Sequence, residues 1–86
     1  MGKWKKLRER ILVGDSDANI AFDDLCHLLR RFGFRERVSG SHHIFSQHGV
    51  EEIVNVQPRG KLAKPYQVGQ VRDLILKYRL SGESDD

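Results

Sequence analysis

The sequence predicts one small α+β domain in which helices cover one face of a three-stranded antiparallel sheet. Apolar residues recur at helical spacing before residue 33 and after residue 66, and between these stretches they alternate with a period of two. Hydrophobic residues make up 38% of the chain and charged residues 31%, which is typical of a folded protein rather than a disordered one. At 86 residues only one modest core fits, so function is expected on an exposed surface.

The first helix is predicted over residues 3–13, where Trp4, Leu7 and Ile11 fall on one side and basic residues occupy most of the rest. Gly14 follows as the stop signal. We expect this amphipathic helix to pack on the domain, and adsorption to a membrane surface is the alternative.

The second helix is predicted over residues 22–32, with aspartates in its first turn, arginines in its last turn and Gly33 as its stop. Cys26 lies between apolar neighbours in this helix, so a packed thiol is expected rather than a nucleophile. It is the only cysteine, which excludes an intrachain disulfide and leaves a thiolate zinc cluster without its ligands. The predicted buried stripe consists of Phe22, Leu25, Leu28, Leu29 and Phe32.

Three strands follow, because the hydrophobic period changes from helical to two residues. They are predicted at residues 34–38, 41–45 and 53–57, with Ser39-Gly40 as the first turn, a looser link containing Gly49 before the third strand, and Pro58 as its end. Residues 58–66 are predicted to form a basic loop, and residues 67–78 the closing helix.

Charge and hydropathy narrow the function classes only in part. The chain has 15 basic and 12 acidic residues, and three of the acids, Glu83, Asp85 and Asp86, lie in the last four positions, so residues 1–80 are more basic than the whole. A basic body suits a polyanion, but it could equally bind an acidic protein. No apolar run reaches the roughly 20 residues of a membrane helix, and the N-terminus lacks the apolar stretch of a signal peptide. A cytoplasmic protein without membrane contact is therefore expected.

Adjacent histidines, His42 and His43, are the most informative local feature. Strand alternation sends His42 and Ile44 to one face and His43 and Phe45 to the other, so the two rings are not expected to share a metal ion. A histidine near neutral pH can instead remove the 2′-hydroxyl proton of RNA and turn the ribose into its own nucleophile. The alternative is that both histidines are ordinary polar strand residues. The cations that could stabilise the developing phosphorane charge are Arg37, Lys61 and Lys64.

The segment Gly40-Ser41-His42-His43-Ile44-Phe45 resembles the HicA toxin family, also called YcfA-like proteins, in which a Gly-Ser-His motif opens the second strand. Four further segments also resemble the family: residues 28–34, 55–58, 64–68 and 71–75. The resemblance covers roughly residues 19–80. Arg79 stands where many family members end the last helix with glycine.

This resemblance implies a fold like that of the double-stranded-RNA-binding domain, α-β-β-β-α, extended here by the N-terminal helix. It also implies an endoribonuclease that cleaves messenger RNA with His42 and without a metal or other cofactor, and a HicB-type antitoxin that covers the catalytic face. The domain would then span residues 19–80, preceded by a basic helix and turn at 1–18 and followed by an acidic tail at 81–86. Its expected RNA-binding residues are Gly40, Ser41, His43, Arg37, Lys61 and Lys64.

Two other functions remain open from the sequence. The first is a non-catalytic RNA-binding domain that uses the same face. The second is a protein-interaction adaptor whose basic N-terminal helix binds an acidic partner.

Overall fold

A computed structural model of the chain describes residues 2–81. Its elements, in order, are helix α1 (Lys3–Val13), a 3₁₀ turn (Asp17–Asn19), helix α2 (Phe22–Arg31), strands β1 (Arg35–Ser39), β2 (His42–Gln47), β3 (Val50–Val56), β4 (Pro58–Arg59) and β5 (Leu62–Ala63), and helix α3 (Pro65–Tyr78). The predicted α+β class and its order of helices and principal strands are confirmed.

The main sheet has the strand order β1-β2-β3, and both pairings are antiparallel. Ser39 pairs with His42, so the first turn consists of Gly40 and Ser41, one residue later than predicted. The expected looser link before the third strand is wrong, since β2 and β3 are joined by a two-residue turn that Gln47 and Val50 close. Gly49 makes that turn possible with a φ of 92°, which glycine adopts without steric cost.

The core lies between one face of this sheet and the three helices. Phe45, Val54 and Val56 point from the strands into it and are fully buried. All five residues of the stripe predicted for α2 are buried, as are Leu7 and Ile11 of α1. On the opposite face of the sheet, here called the open face, side chains such as Arg37, Ile53 and Asn55 are exposed in the described part of the chain, which leaves room there for a ligand.

Helix α1 packs on the rest of the domain, as expected, and two arginines hold it there. Arg72 in α3 donates from Nε to the Ile11 carbonyl oxygen at 2.8 Å and also binds the carboxylate of Asp17. Arg8 donates from Nε to the Leu80 carbonyl oxygen at 2.7 Å. Most of the predicted acidic tail lies outside the described residues.

The predicted basic loop at residues 58–66 contains a small hairpin, β4–β5, and the start of α3. Gly60 allows its tight turn with a φ of 64°. The chain before α2 fixes this hairpin, because the Ala63 N–H donates to Ile20 and the Phe22 N–H donates to Lys61. Sequence periodicity missed the hairpin because its strands are only two residues long and depend on these distant partners.

Helix α3 begins at Pro65, two residues before its predicted start, because proline suits the first helical turn, where no backbone N–H is needed. It ends at Tyr78, as predicted, and Arg79 caps it in the left-handed conformation with a φ of 52°. Within residues 2–81 no helix has both the length and the apolar character that crossing a membrane would require.

Candidate active site

His42 is the first residue of β2 and lies on the open face of the sheet, where its side chain is exposed. Its neighbours in the turn are Ser41 and Gly40, and the left-handed φ of 61° at Gly40 lets the chain reverse directly before the histidine. Solvent therefore reaches the imidazole, as acid-base chemistry on an external substrate requires.

A chain of polar side chains orients the imidazole of His42. Its Nδ1 lies 3.0 Å from Oδ1 of Asn55, and its Nε2 lies 3.2 Å from Nε2 of Gln57. The Gln57 amide is oriented by Lys64, whose Nζ lies 3.3 Å from Oε1. Since an ammonium group can only donate, the Gln57 oxygen faces Lys64 and its NH₂ group faces the histidine. In this arrangement Nδ1–H donates to Asn55 and the lone pair lies on Nε2.

Gln67, which is 1% exposed, supports this chain from beneath. Its Oε1 accepts the backbone N–H of Gln57 at 3.2 Å, and its Nε2 donates to the backbone oxygen of Asn55 at 3.4 Å and to the Tyr66 hydroxyl at 3.3 Å. A buried amide with these partners fixes the end of β3 relative to α3. Gln67 thereby positions both side chains that contact His42.

Sequence reasoning did not identify Asn55, Gln57 or Gln67 as functional residues. Asn55 and Gln57 are two residues apart, and residues at this spacing in a strand lie on the same face. This spacing was the one sequence signal that could have paired them. Their approach to His42 depends on the register that pairs Ile44 with Asn55, which the sequence alone does not determine.

His43 lies on the covered face of the sheet, on the opposite side from His42. Its Nδ1 is 2.6 Å from Oε2 of Glu36, its ring meets Phe22 edge-on at 5.0 Å, and Oε1 of Glu36 accepts from Arg30 at 2.7 Å. Burial alone would raise the pKa of Glu36, but the hydrogen bonds from His43 and Arg30 outweigh it and lower that pKa. These contacts stabilise the packing of α2 against β1 and β2.

The other predicted site residues fall into two groups. The hydrogen-bonded set of His42, Asn55, Gln57, Lys64 and Gln67 is called the His42 group below. Ser41 joins it, because Nε2 of Gln57 also donates to the Ser41 hydroxyl at 3.3 Å. Arg37 lies on the same open face, opposite Ile44. Lys61 instead borders a cleft beside His43, on the other side of the strand. The structure thus joins Ser41, His42 and Lys64 through Gln57 and leaves Lys61 apart.

The remaining histidines and the cysteine lie outside the His42 group. His27 is exposed and stacks on Trp4 at a centroid distance of 4.2 Å, and His48 is exposed in the turn between β2 and β3. Cys26 is buried, as predicted, and burial raises the pKa of its thiol to about 12, so at neutral pH it is protonated.

Residues 22–77, about two thirds of the chain, match the family described as HicA toxin of bacterial toxin-antitoxin. The chain belongs to the HicA toxin family. No curated protein and no solved structure matches it. The HicA match runs from α2 through α3, so it contains every residue of the His42 group, whereas helix α1 precedes it.

Membership of this family makes the protein the toxin of a toxin-antitoxin system. The HicA family also implies an antitoxin as partner and RNA as target.

Proposed function

We propose that this HicA toxin is an endoribonuclease that cleaves messenger RNA without a metal ion, with His42 as its catalytic acid-base residue. The observation that carries the proposal is the chain of hydrogen bonds from Asn55 through His42 and Gln57 to Lys64. It holds an exposed imidazole in the tautomer whose Nε2 can accept a proton, and it has a cation at its other end.

The reaction begins when a ribose 2′-hydroxyl replaces the Gln57 amide at Nε2 of His42. The hydroxyl proton moves to Nε2, the 2′-oxygen forms a bond to the adjacent phosphorus, and the bond from phosphorus to the 5′-oxygen breaks. Because attack is in line, the leaving oxygen is on the far side of the phosphorus, where water protonates it. The imidazolium then returns its proton to solvent, and the products are a 2′,3′-cyclic phosphate and a 5′-hydroxyl.

Negative charge that develops on the phosphate needs donors close to Nε2. Lys64 supplies a cation, and the Gln57 amide, once displaced, supplies N–H groups. The turn formed by Gly40 and Ser41 lets the RNA backbone approach closely, and Arg37 extends the positive surface along the open face. Lys61 and His43 would contact RNA only where it passes over the edge of the sheet.

Cleavage of a long single-stranded RNA by the purified protein, with and without a chelator, tests the proposal. We expect His42→Ala to slow cleavage by about 10²- to 10⁴-fold, because the variant loses general acid-base catalysis. His48→Ala is the matched control, since His48 is an exposed histidine in the turn directly after the other end of β2.

Each outcome of this experiment discriminates between functions. Full activity in His42→Ala would contradict the assignment of the catalytic residue. Loss of activity with the chelator, in protein that circular dichroism shows to be still folded, would contradict the metal-free reaction. RNA binding by the wild type without cleavage would favour a non-catalytic RNA-binding domain. No RNA binding at low salt would favour the adaptor, because phosphate contacts strengthen as salt falls.

We further propose that the antitoxin covers the open face of the sheet. A depression there is lined by Arg35, Glu36, Arg37, Ile44, Ser46 and Ile53; Glu36 is paired with Arg30, and Ile53 is 61% exposed. An exposed apolar residue beside arginines is typical of an interface with an acidic, partly apolar partner.

Binding of the antitoxin to an Ile53→Glu variant tests this surface. We expect the dissociation constant to rise at least about tenfold, because a carboxylate replaces an apolar contact. Leu76→Glu is the control, since Leu76 is 64% exposed on α3, away from the open face. Equal effects of both variants would contradict the proposed location.

A further inference from the structure

Three side chains with metal-binding atoms meet on the covered side of the sheet, each from a different element. Cys26 comes from α2, Glu36 from β1 and His43 from β2. Their sulfur, oxygen and nitrogen atoms all lie within 4.8 Å of one another. We propose that this cluster is a binding site for a divalent transition-metal ion of the zinc type.

The donor set favours this class of ion. A thiolate, an imidazole and a carboxylate are the ligands that zinc uses, and three protein ligands with an open fourth position form a common zinc coordination shell. Magnesium and calcium prefer oxygen ligands only, so the sulfur and nitrogen atoms select against them.

The existing contacts are compatible with an inserted ion. Glu36 accepts from Arg30 through Oε1 and faces His43 with Oε2. A metal between Oε2 and the His43 ring would replace one hydrogen bond and keep the Arg30 ion pair, which would then orient the ligating carboxylate. Two anionic ligands, Cys26 and Glu36, offset the charge of the ion.

The cluster is accessible to solvent on the side of His43. A cleft lined by His43 together with Phe22, Asp23, Gly60 and Lys61 would let water reach an ion held by the His43 ring and supply the fourth ligand. The thiol of Cys26 must lose its proton to the solvent when it binds, and the metal–sulfur bond takes its place.

This site is separate from the proposed reaction, because His42 and His43 lie on opposite faces of β2. A bound ion would join α2 to the hairpin of β1 and β2 and would stabilise the fold without contacting His42. The inference therefore does not depend on the proposed ribonuclease activity.

Titration of the reduced, tag-free protein with cobalt(II) tests the proposal, since cobalt reports zinc sites by absorption. We expect saturation at one ion per chain, with a thiolate-to-cobalt charge-transfer band that zinc abolishes and a rise in the midpoint of thermal unfolding with zinc. Cys26→Ser should lose the band, and Glu36→Gln and His43→Gln should weaken binding by roughly tenfold or more.

His48→Gln is the matched control and should bind as the wild type does. Circular dichroism of each variant separates loss of ligand from loss of folding, and the wild-type titration tests the proposal even where a variant does not fold. Absence of the charge-transfer band in the wild type at millimolar cobalt would overturn the proposal. So would a band that persists in folded Cys26→Ser.

Discussion

The adjacent residues His42 and His43 on β2 lie in different environments, because they lie on opposite faces of the sheet. On the open face, His42 is exposed and contacts the neutral amides of Asn55 and Gln57. On the covered face, His43 is half-buried and contacts a carboxylate, that of Glu36. The same type of side chain thus lies on an exposed polar surface at one position and in a half-buried ion-pair network at the next. Strand alternation alone produces the difference.

The contrast extends along β2 and gives the largest expected effect on stability. Phe45 is fully buried on the covered face, whereas Ile44 is only half-buried on the open face. We expect Phe45→Ala to lower the free energy of unfolding by about 3–5 kcal/mol, because it leaves a cavity in the core. Ile44→Ala should cost about 1 kcal/mol or less, because solvent already reaches that side chain. Urea unfolding measures both values.

Comparable losses in these two variants would show that the open face is covered in the free protein. The antitoxin and RNA would then need to displace something before they bind. A difference of several kcal/mol would confirm that only one face belongs to the core.

Acid unfolding tests the ion-pair network of the covered face. The folded-state pKa of Glu36 is lowered below its usual 4.5, so its contribution to stability is present above that value and is lost as the pH falls through the folded-state pKa. Glu36→Gln should therefore cost about 1–3 kcal/mol at neutral pH and progressively less in acid. Urea unfolding across this pH range is the measurement.

Glu51→Gln is the control for that experiment, since Glu51 is an exposed glutamate on β3. It should leave the free energy of unfolding almost unchanged at neutral pH. If Glu36→Gln also left the free energy of unfolding unchanged, the hydrogen bonds from His43 and Arg30 would make no net contribution to stability. His43 would then matter no more for folding than an exposed residue does.

Periodicity predicted the principal elements because each is long enough to repeat its pattern. It placed α1 at its observed bounds and assigned His42 and His43 to opposite faces. It missed the short turn at Gly49 and the β4–β5 hairpin because two-residue features have no period to detect. Their formation depends on glycine conformations and on backbone partners distant in sequence.

The sequence pointed to the proposed catalytic residue but not to the side chains that contact it. A Gly-Ser-His motif is local, so sequence alone is enough to propose His42. Asn55 and Gln57 approach it only through strand register, and Gln67 only through the packing of α3 against β3. The cluster of Cys26, Glu36 and His43 likewise joins three elements and has no recognisable spacing.

Arg79 offers the smallest expected effect and a way to separate stability from activity. It is the only residue other than glycine with a positive φ within residues 2–81. For a residue other than glycine, the left-handed conformation destabilises the folded state by about 1–2 kcal/mol. Glycine avoids this strain, but its greater freedom in the unfolded chain offsets up to about 1 kcal/mol of the gain. We therefore expect Arg79→Gly to raise the free energy of unfolding by about 0.5–1 kcal/mol. Leu76→Gly, in the right-handed interior of α3, should lower it by a similar amount.

The same two variants separate stability from activity. RNA cleavage per folded molecule should be equal in both, because neither residue contacts the His42 group. A change in cleavage that follows the change in stability would mean that the open face is not pre-organised.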